Sequence, residues 1–381
     1  MSYTDCALNS KNLEANASGG ITASDHFNVI SYNGAYDSYN YAGTSSQSIT
    51  GVGFKPELVF IKDRDNQANN YGSYYVYGGY FFDAIQGSGY AFNPDAQGIT
   101  SGSNQLSSSE DGITSFDTDG FTVDEAEETS FSADTDGDYT PDTPERYIAW
   151  CWKLGSTGSS STWSSGNTNP DSEKYNADSG VSVLSYTDSS YSSGSVTLNH
   201  SLGGAPDFAL VFDSGGSFYS HYAWHKGLDA NKYLDITTSS AEATDSTVFP
   251  SGGSTSTTFQ VGSTIQTGGG YTFYIYLFRA IEGFSSFGTF SGDGFAHCGF
   301  KPKAVWYKRT DASGDWVMFD TVRNPSNPAD KKLALNSSSS EATTTTDDID
   351  ITSSGFKHNT SGGSFVYCAW ADIPSWAANA A

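Results

Sequence analysis

Gly53-Phe54-Lys55-Pro56-Glu57-Leu58-Val59-Phe60-Ile61-Lys62 is the stretch whose reading decides the fold. It recurs, altered, as Gly203-Gly204-Ala205-Pro206-Asp207-Phe208-Ala209-Leu210-Val211-Phe212 and as Gly299-Phe300-Lys301-Pro302-Lys303-Ala304-Val305-Trp306-Tyr307-Lys308. Each copy has a Gly, two variable residues, a Pro, a polar or charged residue, and then an apolar and aromatic run. Glycine reaches turn conformations that other residues adopt only with strain, and proline is tolerated in sheets chiefly at the first residue of a strand or on an edge. Each copy therefore reads as a turn followed by a strand. The run is short for a helix and almost continuously apolar, which predicts a strand buried on both faces. Three copies imply three related domains.

Outward from these strands, turn-punctuated segments rich in Tyr, Phe, Thr and Val follow one another along the chain. The first unit opens with Phe27-Asn28-Val29-Ile30-Ser31-Tyr32 and closes with Tyr147-Ile148-Ala149-Trp150-Cys151-Trp152. The second opens with Val181-Ser182-Val183-Leu184-Ser185-Tyr186 and closes with Tyr271-Thr272-Phe273-Tyr274-Ile275-Tyr276-Leu277-Phe278. Closing the third is Phe365-Val366-Tyr367-Cys368-Ala369-Trp370. The pattern predicts an all-β chain of three tandem, related β-sandwich or jelly-roll-like domains. Their expected bounds are 27–155, 181–283 and 284–381. Residues 1–26 read as an N-terminal arm or docking segment, and 156–180, rich in Gly, Ser and Thr at its start, as a linker. The first unit is the longest, with insertions at 66–89 and 134–145, where function is commonly added to a scaffold.

Composition narrows the function classes. Asp plus Glu number 43 against 18 Lys plus Arg, a formal net charge of −25, which repels phosphate backbones and anionic lipid heads. Nucleic-acid partners and membrane insertion are not expected. No apolar stretch approaches the roughly 18 residues of a membrane span, and the start of the chain lacks the features of a signal peptide. The four cysteines, Cys6, Cys151, Cys298 and Cys368, form no Cys-x-x-Cys pair. That spacing argues against a disulfide scaffold or a zinc site.

The order Gly-Phe-Lys-Pro with Lys-x-Arg, then Phe-Asp, Leu-x-Leu-Asn-Ser with Glu-Ala, Ser-Phe-Asp-x-Asp-Gly-Phe and Tyr-Ile-Ala-Trp-Cys-Trp resembles the repeated β domain of tail-fibre-like virion proteins of marine tailed phages, especially cyanophages. The resemblance is best over 53–64 with 115–155 and over 299–323 with 333–356, and it covers the first and third units, about two thirds of the chain; the middle unit lacks the Lys-x-Arg and the Trp-Cys-Trp. It implies a non-enzymatic virion protein, a tail fibre, spike or appendage contributing to host attachment. Implied partners are other virion proteins, further copies of the chain and a host surface glycan. The implied location is the virion, assembled in the host cytoplasm and released by lysis. Two rivals are a capsid decoration or assembly protein without a receptor role, and a polysaccharide-degrading tail spike.

Two insertions carry candidate sites. Asp134, Asp136, Asp138, Thr140, Asp142 and Glu145 fall at positions 1, 3, 5, 7, 9 and 12 of one loop, the spacing by which oxygen ligands wrap Ca²⁺. Tyr139 stands where such loops place Gly, and a solvated acidic turn is the competing reading. The second candidate is a contact surface built from Tyr71, Tyr74, Tyr75, Tyr77 and Tyr80 among Gly and Ser, a mixture that binding loops favour. Packing of these rings inside the first domain is the alternative. The histidines (His26, His200, His221, His225, His297, His358) form no metalloprotease pattern, and no nucleophile elbow or phosphate loop is present. No catalytic residue is assigned.

Overall fold

The computed structural model describes residues 21–374 apart from 35, 38–45, 66–77, 88–89, 95–104, 107–111, 125–130, 134–142, 164–166, 189–193, 214–220, 251–253 and 266–269. Within them the chain is all-β, and three large sheets account for most of it. The motif strands Leu58–Asp63, Phe208–Asp213 and Phe300–Arg309 lie inside these sheets, each hydrogen-bonded on both sides. The preceding glycines, Gly53, Gly203 and Gly299, have φ of +90°, +79° and +81°, the left-handed conformation that the turn reading requires. In the third copy Pro302 falls within the strand, and the ladder shifts register around it, so a bulge accommodates the missing donor.

Each motif strand pairs antiparallel with its unit's closing strand: Arg146–Trp152, Thr272–Phe278 and Ser364–Pro374. The closing strand pairs in turn with Phe27–Asn33, Val181–Thr187 or Ser285–Ser291. A smaller sheet accompanies each large one: Gln47–Thr50, Gly120–Val123 and Ile113–Asp117 in the first unit; Val196–Asn199 and Thr258–Val261 in the second; Phe295–His297, Gly355–His358 and Ile349–Thr352 in the third. The stretch expected to be a linker instead carries two strands, Ser156–Thr157 and Ser172–Asn176, which extend the second large sheet. Of the expected arm, 1–20 lies outside the described residues, and Ala23–Asp25 forms a 3-10 turn with Ala23 buried in the core.

Side chains of the first two motif strands alternate between two hydrophobic compartments, which explains their unbroken apolar runs, while Ala304, Val305, Trp306 and Tyr307 of the third all join one core. Val59 and Ile61 join Tyr147, Ala149 and Cys151 in a core under the small sheet, while Leu58 and Phe60 point the other way with Ile148, Trp150 and Trp152. In the second unit Ala209 and Val211 face the local core, and Phe208, Leu210 and Phe212 face away from it. The outward-facing sets of all three units meet in one shared aromatic core. There Trp306 sits edge-on to Trp150, Trp152 and Trp370, at centroid distances of 6.1, 5.7 and 5.1 Å. The indole N–H groups of Trp150, Trp152, Trp306 and Trp316 are buried without a hydrogen-bond acceptor. The edge-to-face packing of the first three suits N–H contacts with ring faces. The three units are thus cemented through the faces of their large sheets.

Candidate functional site

Polar side chains at matching positions close the units onto one another in a ring. Asp83, His225 and Asp320 are register partners of Leu58, Phe208 and Ala304, each two residues after the motif proline. Asp83 of the first unit accepts a hydrogen bond from Tyr276 Oη of the second (2.7 Å). His225 Nε2 of the second unit lies 3.1 Å from the Tyr367 carbonyl of the third. Asp320 of the third accepts from Arg323 Nε (2.6 Å), and that guanidinium lies 5.7 Å from the ring centroid of Trp150 in the first. The far ends of the motif strands form a second ring in the opposite sense. Lys62 Nζ donates to the Ser337 carbonyl of the third unit (2.6 Å), and Lys308 Nζ to the Ser240 carbonyl of the second (2.7 Å). Phe212, which replaces lysine in the middle copy, stacks on Phe92 of the first unit (5.0 Å, 12°).

Burial tunes these groups for structure. It pushes His200, His221 and His225 down to about 4, so the three are neutral at neutral pH. Burial also raises Asp83, against its hydrogen bonds from Gln86, Tyr276 and Ile85. At Glu341 burial opposes ionisation, but bonds and charge from Arg64 and Arg323 outweigh it and hold the carboxyl below its usual range. His221 packs between the rings of Phe92 and Phe212 (6.3 and 5.0 Å), and His225 against Phe208.

The sequence candidates fare unequally. Asp134, Asp136, Asp138, Thr140 and Asp142 lie outside the described residues, as do Tyr71, Tyr74, Tyr75 and Tyr77. Glu145 is buried, with its carboxylate 3.3 Å from the Tyr147 hydroxyl. Tyr80 is 4% exposed and packs in the first unit's own core beside Phe82, so its ring is a packing residue rather than an exposed contact. Among the described residues no group of three or more His, Cys, Asp or Glu is placed to hold a metal ion. No helix among them is long and apolar enough to cross a membrane.

A cleft opens instead where the middle copy departs from its siblings. Phe82 and Phe319, at matching positions in the first and third units, are fully buried. Their counterpart is Trp224, half-buried and edge-on to Phe259 at 5.9 Å. In the motif turn, Phe54-Lys55 and Phe300-Lys301 are matched by Gly204-Ala205. Among the described residues the small sheet has three strands in the outer units and two in the middle one. A cavity of about 320 Å³ results, walled by Trp224, Phe249, Phe259 and Pro206, with Asp229, Asn231, Ser254 and Gln260 also lining it. Ser254 Oγ is buried and has no hydrogen-bond partner, while Gln260 Nε2 donates to Ser195 Oγ (2.7 Å).

Sequence reasoning passed over this cleft although a signal was present. Asp119-Gly120-Phe121 and Ser354-Gly355-Phe356 turn the outer units' small hairpins, and the corresponding Thr257-Thr258-Phe259 has no glycine. A Cβ on Gly120 or Gly355 would fall on the carbonyl oxygen of Ile49 or Ala296, so the hairpin needs glycine at that place.

The chain belongs to the family described as a domain of unknown function, DUF7483, which matches residues 22–374 and so spans all three units. No curated protein and no solved structure matches it.

Proposed function

We propose that the chain is a non-enzymatic structural protein of a phage particle, a tail fibre, spike or appendage that contributes to host attachment. The observation that carries this reading is the use made of the buried ionisable side chains. Asp83, His225, Lys62, Lys308 and Arg323 each reach across to a neighbouring unit, so their chemistry is spent on rigidity. A rigid, acidic, aromatic-rich body suits a component displayed on a particle, and the motif order quoted above supports the phage assignment. Calcium held by Asp134, Asp136, Asp138, Thr140 and Asp142 would be structural in this setting. Glu145, the twelfth position, is buried beside Tyr147.

Antibody against the protein should label purified particles at the tail, and added protein should reduce adsorption of particles to cells. Absence from purified particles overturns the proposal. Shell labelling without an effect on adsorption restricts the role to capsid decoration. Release of reducing sugar from host polysaccharide replaces it with a depolymerase. Heat on titrating Ca²⁺ into metal-stripped protein, lost with Asp136→Asn and Asp138→Asn together, is the expected signature of the acidic loop.

A further inference from the structure

We infer that the cleft around Trp224 is a binding site for one pyranose ring of a neutral glycan. Internal repetition supplies the first argument. The outer units fill this place with a buried phenylalanine and a third small-sheet strand, whereas among the described residues of the middle unit the small sheet has no third strand and a half-buried tryptophan stands there. A unit that merely lost a strand would be expected to close over the gap with small or flexible apolar side chains, since uncovered apolar surface costs stability. Here a half-buried tryptophan lines the cleft, with Phe249 and Phe259 buried at 3% and 2% exposed.

Wall chemistry supplies the second argument. Trp224 lines the cleft, and an indole face, negative at its centre, matches the weakly positive C–H face of a sugar ring. Phe249, Phe259 and Pro206 continue the apolar side. On the polar side Asp229, 84% exposed at its side chain, accepts a hydrogen bond from Lys232 Nζ at Oδ2 (2.9 Å), and Gln260 keeps its amide oxygen as an acceptor. Ser254 brings a buried hydroxyl without a partner. Such a site fits a ligand with one flat apolar face and a dense fringe of hydroxyls. An anionic ligand does not fit: among the described residues no Lys or Arg lines the cleft, the nearby Lys232 is held by Asp229 and Glu242, and Ala205 stands where both sibling turns carry Lys. The formal charge of −25 further disfavours acidic polymers. At about 320 Å³, the cleft is at the small end of ligand sites, sized for a ring and its linkage rather than a long chain. This inference is independent of whether the protein sits on a particle.

The test is saturation-transfer NMR with the full chain against glucose, galactose, mannose and N-acetylglucosamine and their short homo-oligomers. Inorganic phosphate and a proline-rich peptide serve as competing probes. The expected result is transfer to the ring C–H protons of at least one neutral sugar, with affinity on the order of 1 mM for a single ring. It should vanish in Trp224→Ala and weaken about tenfold in Asp229→Asn, a change at an exposed side chain that leaves the fold intact. Should Trp224→Ala fail to fold, as judged by its melting curve, Asp229→Asn and Gln260→Ala decide. Absence of transfer from every sugar overturns the inference, as does transfer that survives these substitutions. Displacement of the sugar by the peptide, or binding of the peptide alone, reassigns the cleft to a protein partner.

Discussion

At the scale of single residues, the decisive groups are charged side chains that the fold hides between units. Glu341 accepts hydrogen bonds from Arg64 Nε and Nη2, each at 2.9 Å, and lies 3.3 Å from Arg323 Nη1. The side chains of Arg64 and Glu341 are 13% and 6% exposed, so removing Glu341 leaves a largely buried Arg64 guanidinium without its carboxylate and Arg323 with Asp320 alone. Glu341→Gln should therefore cost about 3–5 kcal/mol, read as a lower urea midpoint at unchanged slope. Arg309 with Asp311, an exposed pair, should give way with no more than about 1 kcal/mol lost. Histidine sets a second expectation. Buried His221 titrates at about 4, below its unfolded value of 6.5, so the unfolded chain binds the extra proton between those values. Its contribution to stability is complete above about pH 6.5 and is lost as pH falls toward about 4. His221→Phe should flatten the acid limb of stability by up to ~1.4 kcal/mol per pH unit relative to the parent protein. Neutralisation of the many carboxylates is common to both proteins and cancels in that comparison. An equal slope in both would show that His221 is not neutral in the folded state.

At the scale of elements, what was legible in the sequence followed from rules that act over ten residues or so. Gly-x-x-Pro followed by an apolar run specified turn and strand, and the absence of polar alternation in Leu58-Val59-Phe60-Ile61 already required cover on both faces. What was not legible was the identity of that cover. Nothing local to Lys62 points to the Ser337 carbonyl, because the two are brought together only by packing of whole sheets. The two strands in the expected linker were hidden for a related reason. Ser172–Asn176, with sequence Ser-Glu-Lys-Tyr-Asn, lacks an apolar run because it lies near the edge of its sheet, and its Glu173 is buried by bonds from Ser182, Ser201 and Trp163 instead. Of the candidate sites, the Tyr- and Asp-rich insertions stood out by composition, whereas the Trp224 cleft is marked by what is missing relative to the other copies. The small hairpins allow a direct check of that contrast. Gly120→Ala would drive a Cβ into the Ile49 carbonyl and break the ladder between Gln47–Thr50 and Gly120–Val123. A loss of about 2–4 kcal/mol in chemical unfolding is expected, far above the ~1 kcal/mol of a typical substitution.

At the scale of the whole molecule, the question is whether each unit is a domain in the thermodynamic sense. Phe208, Leu210, Phe212, Tyr276 and Phe278 of the second unit are buried in the shared core. Fully burying a large apolar side chain contributes about 1.5–3 kcal/mol, so exposing these five would cost roughly 7–15 kcal/mol. That equals the entire stability of an ordinary domain, about 5–15 kcal/mol, before the lost hydrogen bonds of Tyr276 and His225 are counted. The units should accordingly be inseparable, which also agrees with one family spanning all three. A fragment covering 170–280 is expected to be unfolded or to aggregate, with poorly dispersed amide resonances. The full chain should melt in a single calorimetric transition whose van't Hoff and calorimetric enthalpies agree. A folded, monomeric fragment with dispersed resonances would mean that the sheets can cover their outward faces alone, and that the aromatic core is a docking interface between domains rather than part of each fold. Single substitutions offer a second route to the same distinction. Trp306→Ala, at the junction of the three units, should cost about 3–5 kcal/mol and leave one transition. If it instead splits the melt into separate steps, the units hold their own cores and only their association depends on the tryptophan.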